Sequence, residues 1–217
     1  MTDVSMARTL LCFGDSNTHG SPPIVTRGEA YHRFDADTRW PRLVASTLPD
    51  WEVTEEGLPG RTAQFPDPVA GAHMDGREGL KIALQSHGPI DALAIMLGTN
   101  DTKTRFGATP GKITAGIASL LDIAMGLEMQ QRHGGFRILV ICPPPVLEQG
   151  PIRSEFVGAR EVSLKLPALY AVLAEARGVG FIDAGALIQV SPVDGIHLEP
   201  DAHRKLGKAV AETVGRF

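Results

Sequence analysis

Short apolar runs alternate along this chain with longer stretches in which apolar residues recur at helical spacing. The runs are Thr9 to Phe13, Trp51 to Thr54, Ala92 to Leu97, Arg137 to Ile141 and Gly180 to Ile182. Most are rich in Leu, Ile or Val and give way quickly to Gly, Asp, Asn or Pro, as strands buried on both faces do. Thr109-Pro110 has the form of an N-cap followed by a proline in the first helical turn. It predicts a helix through roughly Gln131, stopped by His133-Gly134-Gly135. Phe156 to Arg177 predicts another helix with Gly178 as its stop. Pro200 opens a last one, whose Ala202, Leu206, Ala209, Val210 and Val214 form an apolar stripe.

Strand–helix alternation of this kind predicts an α/β fold with a parallel sheet and helices on both sides. Such sheets bind ligands beyond the carboxyl ends of their strands. Three long connections follow strands there, residues 14–38, 57–75 and 142–155. Long connections in compact domains are usually functional, so these are expected to wall a pocket. There is no internal repeat and no low-complexity tract.

The 217 residues, 43% hydrophobic and 21% charged, suit one domain over 1–217 with a full core. Net charge is −4 with no Lys/Arg block, which argues against nucleic acid or an anionic membrane as partner. Cys12 and Cys142 each fall in or beside an apolar run and are expected as core packing rather than a disulfide, in keeping with a reducing compartment. No signal-peptide pattern is evident and no apolar stretch is long enough to span a bilayer, so a cytoplasmic location is expected.

Four strand ends carry residues with chemical potential. Phe13-Gly14-Asp15-Ser16-Asn17 places a serine just past a strand, two residues after a glycine, where a tight turn can expose its hydroxyl. An ordinary strand-end turn has the same composition. The α/β-hydrolase elbow, Gly-x-Ser-x-Gly, is excluded because position 18 is threonine. A serine needs a base, and of the seven histidines only His197 has an aspartate three residues before it, Asp194. That offset lets the carboxylate reach Nδ1–H and leaves Nε2 for the serine. A plain turn into the last helix is the alternative. Glu29 and His32 are the glutamate version of the pair, within a long loop.

Gly98-Thr99-Asn100-Asp101 offers an amide donor for a developing oxyanion, or simply a turn former or cap. Gly57-Leu58-Pro59-Gly60 offers the Gly60 N–H, or simply a loop glycine. Each signal is weak alone; together they meet the requirements of an acyl-transfer site. No histidine cluster and no cysteine spacing suggests a metal, and no Gly-rich phosphate fingerprint is present, so no cofactor is expected.

The set Gly14-Asp15-Ser16, Gly60, Gly98-Thr99-Asn100-Asp101 and Asp194-Gly195-Ile196-His197 resembles the four blocks of the SGNH (GDSL-type) hydrolases, in order and over the whole chain. The resemblance implies a three-layer α/β/α, flavodoxin-like fold with strand order 2-1-3-4-5. It also implies ester hydrolysis through an acyl-serine, with Ser16, His197 and Asp194 as the triad and Ser16, Gly60 and Asn100 as oxyanion donors. Asp15, His19, Thr99 and Ile196 are further substrate-binding candidates.

Leu11 to Ser16, Glu55 to Leu58, Ile95 to Lys103 and Val193 to His197 are most similar to the bacterial arylesterase/acyltransferase (perhydrolase) branch. That similarity implies homo-oligomers, up to octamers, acting on small ester substrates, with acyl transfer to alcohols or peroxide as a side activity. The branch commonly has tryptophan shortly after the serine. Here Thr18-His19-Gly20-Ser21 stands in that region, so a more polar acyl or acceptor pocket is expected, and Pro59-Gly60 replaces Ser-Ala. With aromatics at only 6%, short acyl esters of aryl alcohols or sugars are expected. A lipid-type esterase and a non-catalytic flavodoxin-like binding module are the alternatives.

Overall fold

The computed structural model describes residues 7–217. Its five strands are β1 (Arg8–Gly14), β2 (Trp51–Gly57), β3 (Ala92–Met96), β4 (Arg137–Cys142) and β5 (Gly180–Asp183). They pair in parallel throughout, in the order β2-β1-β3-β4-β5, the topology expected from the sequence. The helices are α1 (Ser16–His19), α2 (Trp40–Thr47), α3 (Gly76–Ser86), α4 (Pro110–Met125), α5 (Leu127–His133), α6 (Ala159–Ser163), α7 (Leu166–Arg177) and α8 (Pro200–Val214).

Alternate residues of β1, β3 and β4 feed two cores. Leu11, Phe13, Leu93, Ile95 and Val140 point to one face, under Leu80 and Leu84 of α3, Ile113 and Ile117 of α4 and Tyr170 of α7. Leu10, Cys12, Ala94, Leu139 and Ile141 point to the other, under Trp40 and Val44 of α2 and Leu206 and Val210 of α8. Burial on both faces explains why these strands carry unbroken apolar runs. Cys12 and Cys142 are buried, free and on different strands.

Two helices expected as continuous are each divided. The stretch opening at Pro110 ends at Met125, because Gly126 leaves the helical region with ψ 140°. The Gln130 amide then donates to the freed Ala124 carbonyl at 2.8 Å, and α5 restarts at Leu127. The stretch from Phe156 becomes a short turn, α6 and α7, with the second break just before Pro167. A proline ring clashes with the carbonyl four residues back and is tolerated only in a first helical turn, so a new helix begins there. Helices α2 and α3 are amphipathic but were not among the helices expected from the sequence.

Among the described residues no helix is long and apolar enough to cross a membrane.

Candidate active site

The strand order reverses between β1 and β3, and the crevice at their carboxyl ends is where the four sequence blocks converge. β1 ends at Gly14 and Asp15 caps α1, its Oδ1 accepting the Asn17 N–H at 2.9 Å. A Cβ on Gly14 would lie 2.1 Å from Thr18 Oγ1 and 2.8 Å from the Met96 carbonyl oxygen. Only glycine lets the first turn of α1 sit so tightly against β3. Ser16 is the first residue of that turn and is buried, with 6% of its surface exposed.

Asp194 and His197 occupy the loop after β5. His197 Nδ1 lies 2.5 Å from Asp194 Oδ2, which also accepts the Ile24 N–H at 2.8 Å. Asp194 Oδ1 accepts the N–H groups of Ile196 and His197 at 2.9 and 3.0 Å. Burial works to raise this carboxyl's pKa. The hydrogen bond and charge of His197, with the donated amides, outweigh it and hold the group below the usual carboxylate range. The aspartate thus fixes both the ring and the loop that carries it.

Asn17 joins the two halves of the site. Its Nδ2 donates to the Ile196 carbonyl at 3.1 Å and its Oδ1 accepts the Leu198 N–H at 3.1 Å. The residue after the serine therefore grips the residues on either side of the histidine. Ser16, His197, Gly60, Asn100 and Ile196 all line one pocket of about 230 Å³. The three long connections each contribute to its wall, through Ile24, Pro59 and Ile152 respectively. No hydrogen bond joins the Ser16 hydroxyl to His197, whose Nδ1 is paired with Asp194.

Among the described residues, neither the Ser16 nor the Gly60 backbone N–H has a hydrogen-bond acceptor. Ser16 is at a helix start and Gly60 adopts φ +93°, a left-handed conformation that turns the chain at the pocket wall. Asn100 Nδ2 donates to Asp15 Oδ2 at 3.2 Å and to the Arg61 carbonyl at 3.1 Å. Both contacts are at the long end for hydrogen bonds, so this amide is held by weak partners. A nucleophile, a base with its orienting carboxylate, and donors for a developing negative charge are the components of acyl transfer.

The other candidates fall elsewhere. Asp15 lies behind the pocket as cap and Asn100 partner; burial, offset in part by the Asn17 amide and nearby His197, Lys103 and Arg61, lifts its pKa to about 6. Thr99 serves a turn, its carbonyl accepting the Thr102 hydroxyl at 2.6 Å. His19 turns away, its Nε2 paired with the Tyr31 hydroxyl. Glu29 caps the Val25 and Thr26 amides, and His32 is exposed. Among the described residues no three His, Cys, Asp or Glu side chains gather as a metal would require.

Several residues at the site had no role assigned from the sequence. Asn17 acts through partners 179 and 181 positions away, a distance no local pattern reports. Asp101 accepts the Ala63 N–H with both oxygens, at 2.9 and 3.0 Å, and burial pushes its pKa up to about 7 despite that help. Arg61 lies over the Phe13 ring at 4.1 Å and donates to the Gly14 carbonyl at 3.0 Å; burial lowers its pKa to about 10. Lys103, Glu155 and Phe156 complete the pocket rim, where Glu155 is held by Arg27 and Arg105 at 3.2 Å each.

Comparison with known proteins agrees with this geometry. The sequence model of the GDSL-like Lipase/Acylhydrolase family matches residues 12–205. The chain belongs to that family and is a carboxylic ester hydrolase. Its structure is similar to the aryl esterase of M. smegmatis, with 37% identity, TM-score 0.90, and 97% of this chain and 99% of that one covered. It is similar to Est24, a carbohydrate acetylesterase from Sinorhizobium meliloti, with 36% identity, TM-score 0.89 and coverage of 96% and 99%. A putative arylesterase from Agrobacterium tumefaciens str. C58 matches at 36% identity and TM-score 0.85, with coverage of 96% and 99%. No curated protein sequence matches the chain. Family membership removes the alternative of a non-catalytic binding module.

Proposed function

We propose that the protein hydrolyses short-chain esters, acetyl esters above all, through an acyl-enzyme on Ser16. Ser16 Oγ attacks the ester carbonyl while His197 Nε2 takes its proton. The carbonyl oxygen, now negative, collects the Ser16 and Gly60 N–H groups and the Asn100 amide. The imidazolium then protonates the alcohol oxygen, which leaves, and water repeats the sequence to release the acid. Asp194 holds the ring and stabilises its charged form.

The observation that carries this reading is the shared pocket of Ser16, His197, Gly60 and Asn100, with His197 bound to Asp194. Its volume, about 230 Å³, lies below the ~300–1,000 Å³ typical of sites for drug-sized ligands. Ile152, Phe156 and Ile196 line it, which favours a short acyl chain over the long one of a lipid-type ester. The alcohol is an aryl alcohol or a sugar, the two classes named for the similar esterases. Acyl transfer to alcohols or peroxide, homo-oligomeric assembly and a cytoplasmic location complete the reading. The first two rest on the resemblance, and the last accords with two buried, unpaired cysteines.

The test is a nitrophenyl ester series from acetate to octanoate, run beside labelling by a small organophosphorus reagent. Preference for acetate and labelling lost in Ser16→Ala are expected. Octanoate preference overturns the acyl assignment. A folded wild-type protein that is neither labelled nor active overturns the mechanism.

A further inference from the structure

His197 borders a second cavity. It has a volume of about 300 Å³ and is lined in part by Pro22, Ile24, Ala30, Tyr31, Pro59 and His197. Ile24, Pro59 and His197 belong to both cavities, whereas Ser16, Gly60 and Asn100 line only the first. The imidazole therefore stands at the junction between them.

This arrangement matters because of where the atoms of an ester must go. The carbonyl oxygen is drawn toward the donors of the first cavity. The alcohol oxygen must lie within hydrogen-bond reach of the His197 ring, which protonates it as the C–O bond breaks. The body of the alcohol then extends past the imidazole, away from Gly60 and Asn100, and the second cavity is the space on that side.

The walls of this cavity say which alcohol it suits. Two prolines, an isoleucine, an alanine and a tyrosine ring supply apolar surface, and Ser21, Glu29 and His32 add polar groups at its edge. Glu29, also at the wall, has both oxygens engaged by the Val25 and Thr26 amides. A sugar set against the apolar surface gains little from it and must keep its hydroxyls turned to solvent or to the few polar groups. An aromatic ring loses nothing and gains contact with Tyr31. Tyr31 is 71% exposed, so its ring has surface for a ligand to cover, and its hydroxyl is anchored on His19 Nε2. The loop is also tied to the triad through Ile24 N–H and Asp194. The polar region expected where tryptophan is missing is therefore offset by an aromatic side chain from further along the same loop.

We infer that the cavity bounded by Pro22, Tyr31, Pro59 and His197 is the leaving-alcohol subsite, that it takes flat aromatic alcohols in preference to sugars, and that Tyr31 sets this preference. The inference rests on the esterase mechanism proposed above. Every acetate ester passes through the same acetyl-enzyme, so a residue that touches only the alcohol acts on acylation and not on deacylation.

The experiment compares kcat/KM of wild type and Tyr31→Ala on phenyl acetate, ethyl acetate and an acetylated monosaccharide. Inhibition by phenol is measured alongside. The variant is expected to lose about two- to tenfold more on phenyl acetate than on ethyl acetate, the scale of one aromatic contact. Phenol inhibition should weaken by a similar factor, and Tyr31→Phe should restore the aromatic preference. Equal losses on all three esters mark Tyr31 as merely structural and overturn the inference, as does wild-type preference for the sugar ester. Activity retained with no aromatic preference refutes the subsite while leaving the mechanism standing. Absence of both activity and Ser16 labelling in the folded wild type removes the mechanism and the subsite together.

Discussion

Asn17→Ala is the perturbation that most directly tests how the site is assembled. The substitution removes the amide that pairs with the Ile196 carbonyl and the Leu198 N–H, both on buried residues. An orphaned buried backbone group costs about 1–3 kcal/mol, and partial relaxation of the loop lowers the sum for two to about 2–4 kcal/mol. For a chain of this size that corresponds to a fall in Tm on the order of 5–15 °C. The catalytic effect should be larger than the stability effect suggests. His197 sits between the two released residues, and a misplacement of about 1 Å costs about 10²-fold in rate. The assay is kcat/KM on nitrophenyl acetate, well below the variant's own Tm, beside a thermal melt. Asn17→Asp should be at least as damaging, since a carboxylate would face the Ile196 carbonyl. A variant Asn17→Ala with wild-type Tm and a rate within about twofold of wild type would refute the claim that this side chain holds the site together.

Three further predictions concern carboxyl groups. Asp194→Asn should lower kcat by about 10⁴-fold, because an amide N–H would face His197 Nδ1 and favour the wrong tautomer. Asp194 has a lowered folded pKa, so its stabilising contribution is present above the ordinary carboxylate range and lost as pH falls through the folded value. Urea unfolding of wild type and Asp194→Asn between about pH 2 and 6 should show a gap that closes toward acid; a constant gap would contradict the shift. Asp101 has the opposite sign. With its folded pKa pushed up to about 7, the folded state holds an extra proton between about pH 4 and 7, so stability falls as pH rises across that window. Asp101→Asn should flatten this slope, and an unchanged slope would count against the raised pKa.

Much of the fold was legible because parallel strands buried on both faces announce themselves as apolar runs. All five expected runs became strands; the carboxyl ends run one to three residues further except in β3, which stops at Met96, and only β1 starts earlier than expected, by one residue. What escaped was set by local breaks or by tertiary context. Gly126 and Pro167 divide helices whose apolar spacing continues across the break. The convergence of Ser16, Gly60, Asn100 and His197 was legible because each follows a strand, and a parallel sheet gathers strand ends at one edge. Asn17, Asp101 and Arg61 were not, since their partners lie far off in sequence and their residue types are equally at home in turns. His19 and Thr99 show the converse. Both were substrate-binding candidates, yet His19 pairs with Tyr31 and the Thr99 carbonyl accepts the Thr102 hydroxyl.

The loop that bounds the second cavity touches Asp194 through a main-chain group, the Ile24 N–H. Position 24 can therefore exchange its side chain, and with it the shape shared by both cavities, without removing support from Asp194. Proline is the one residue that forfeits the tether. Redesign of ester choice can begin at that position, because evolution or a mutant library can vary what the enzyme admits while leaving untouched how it reacts.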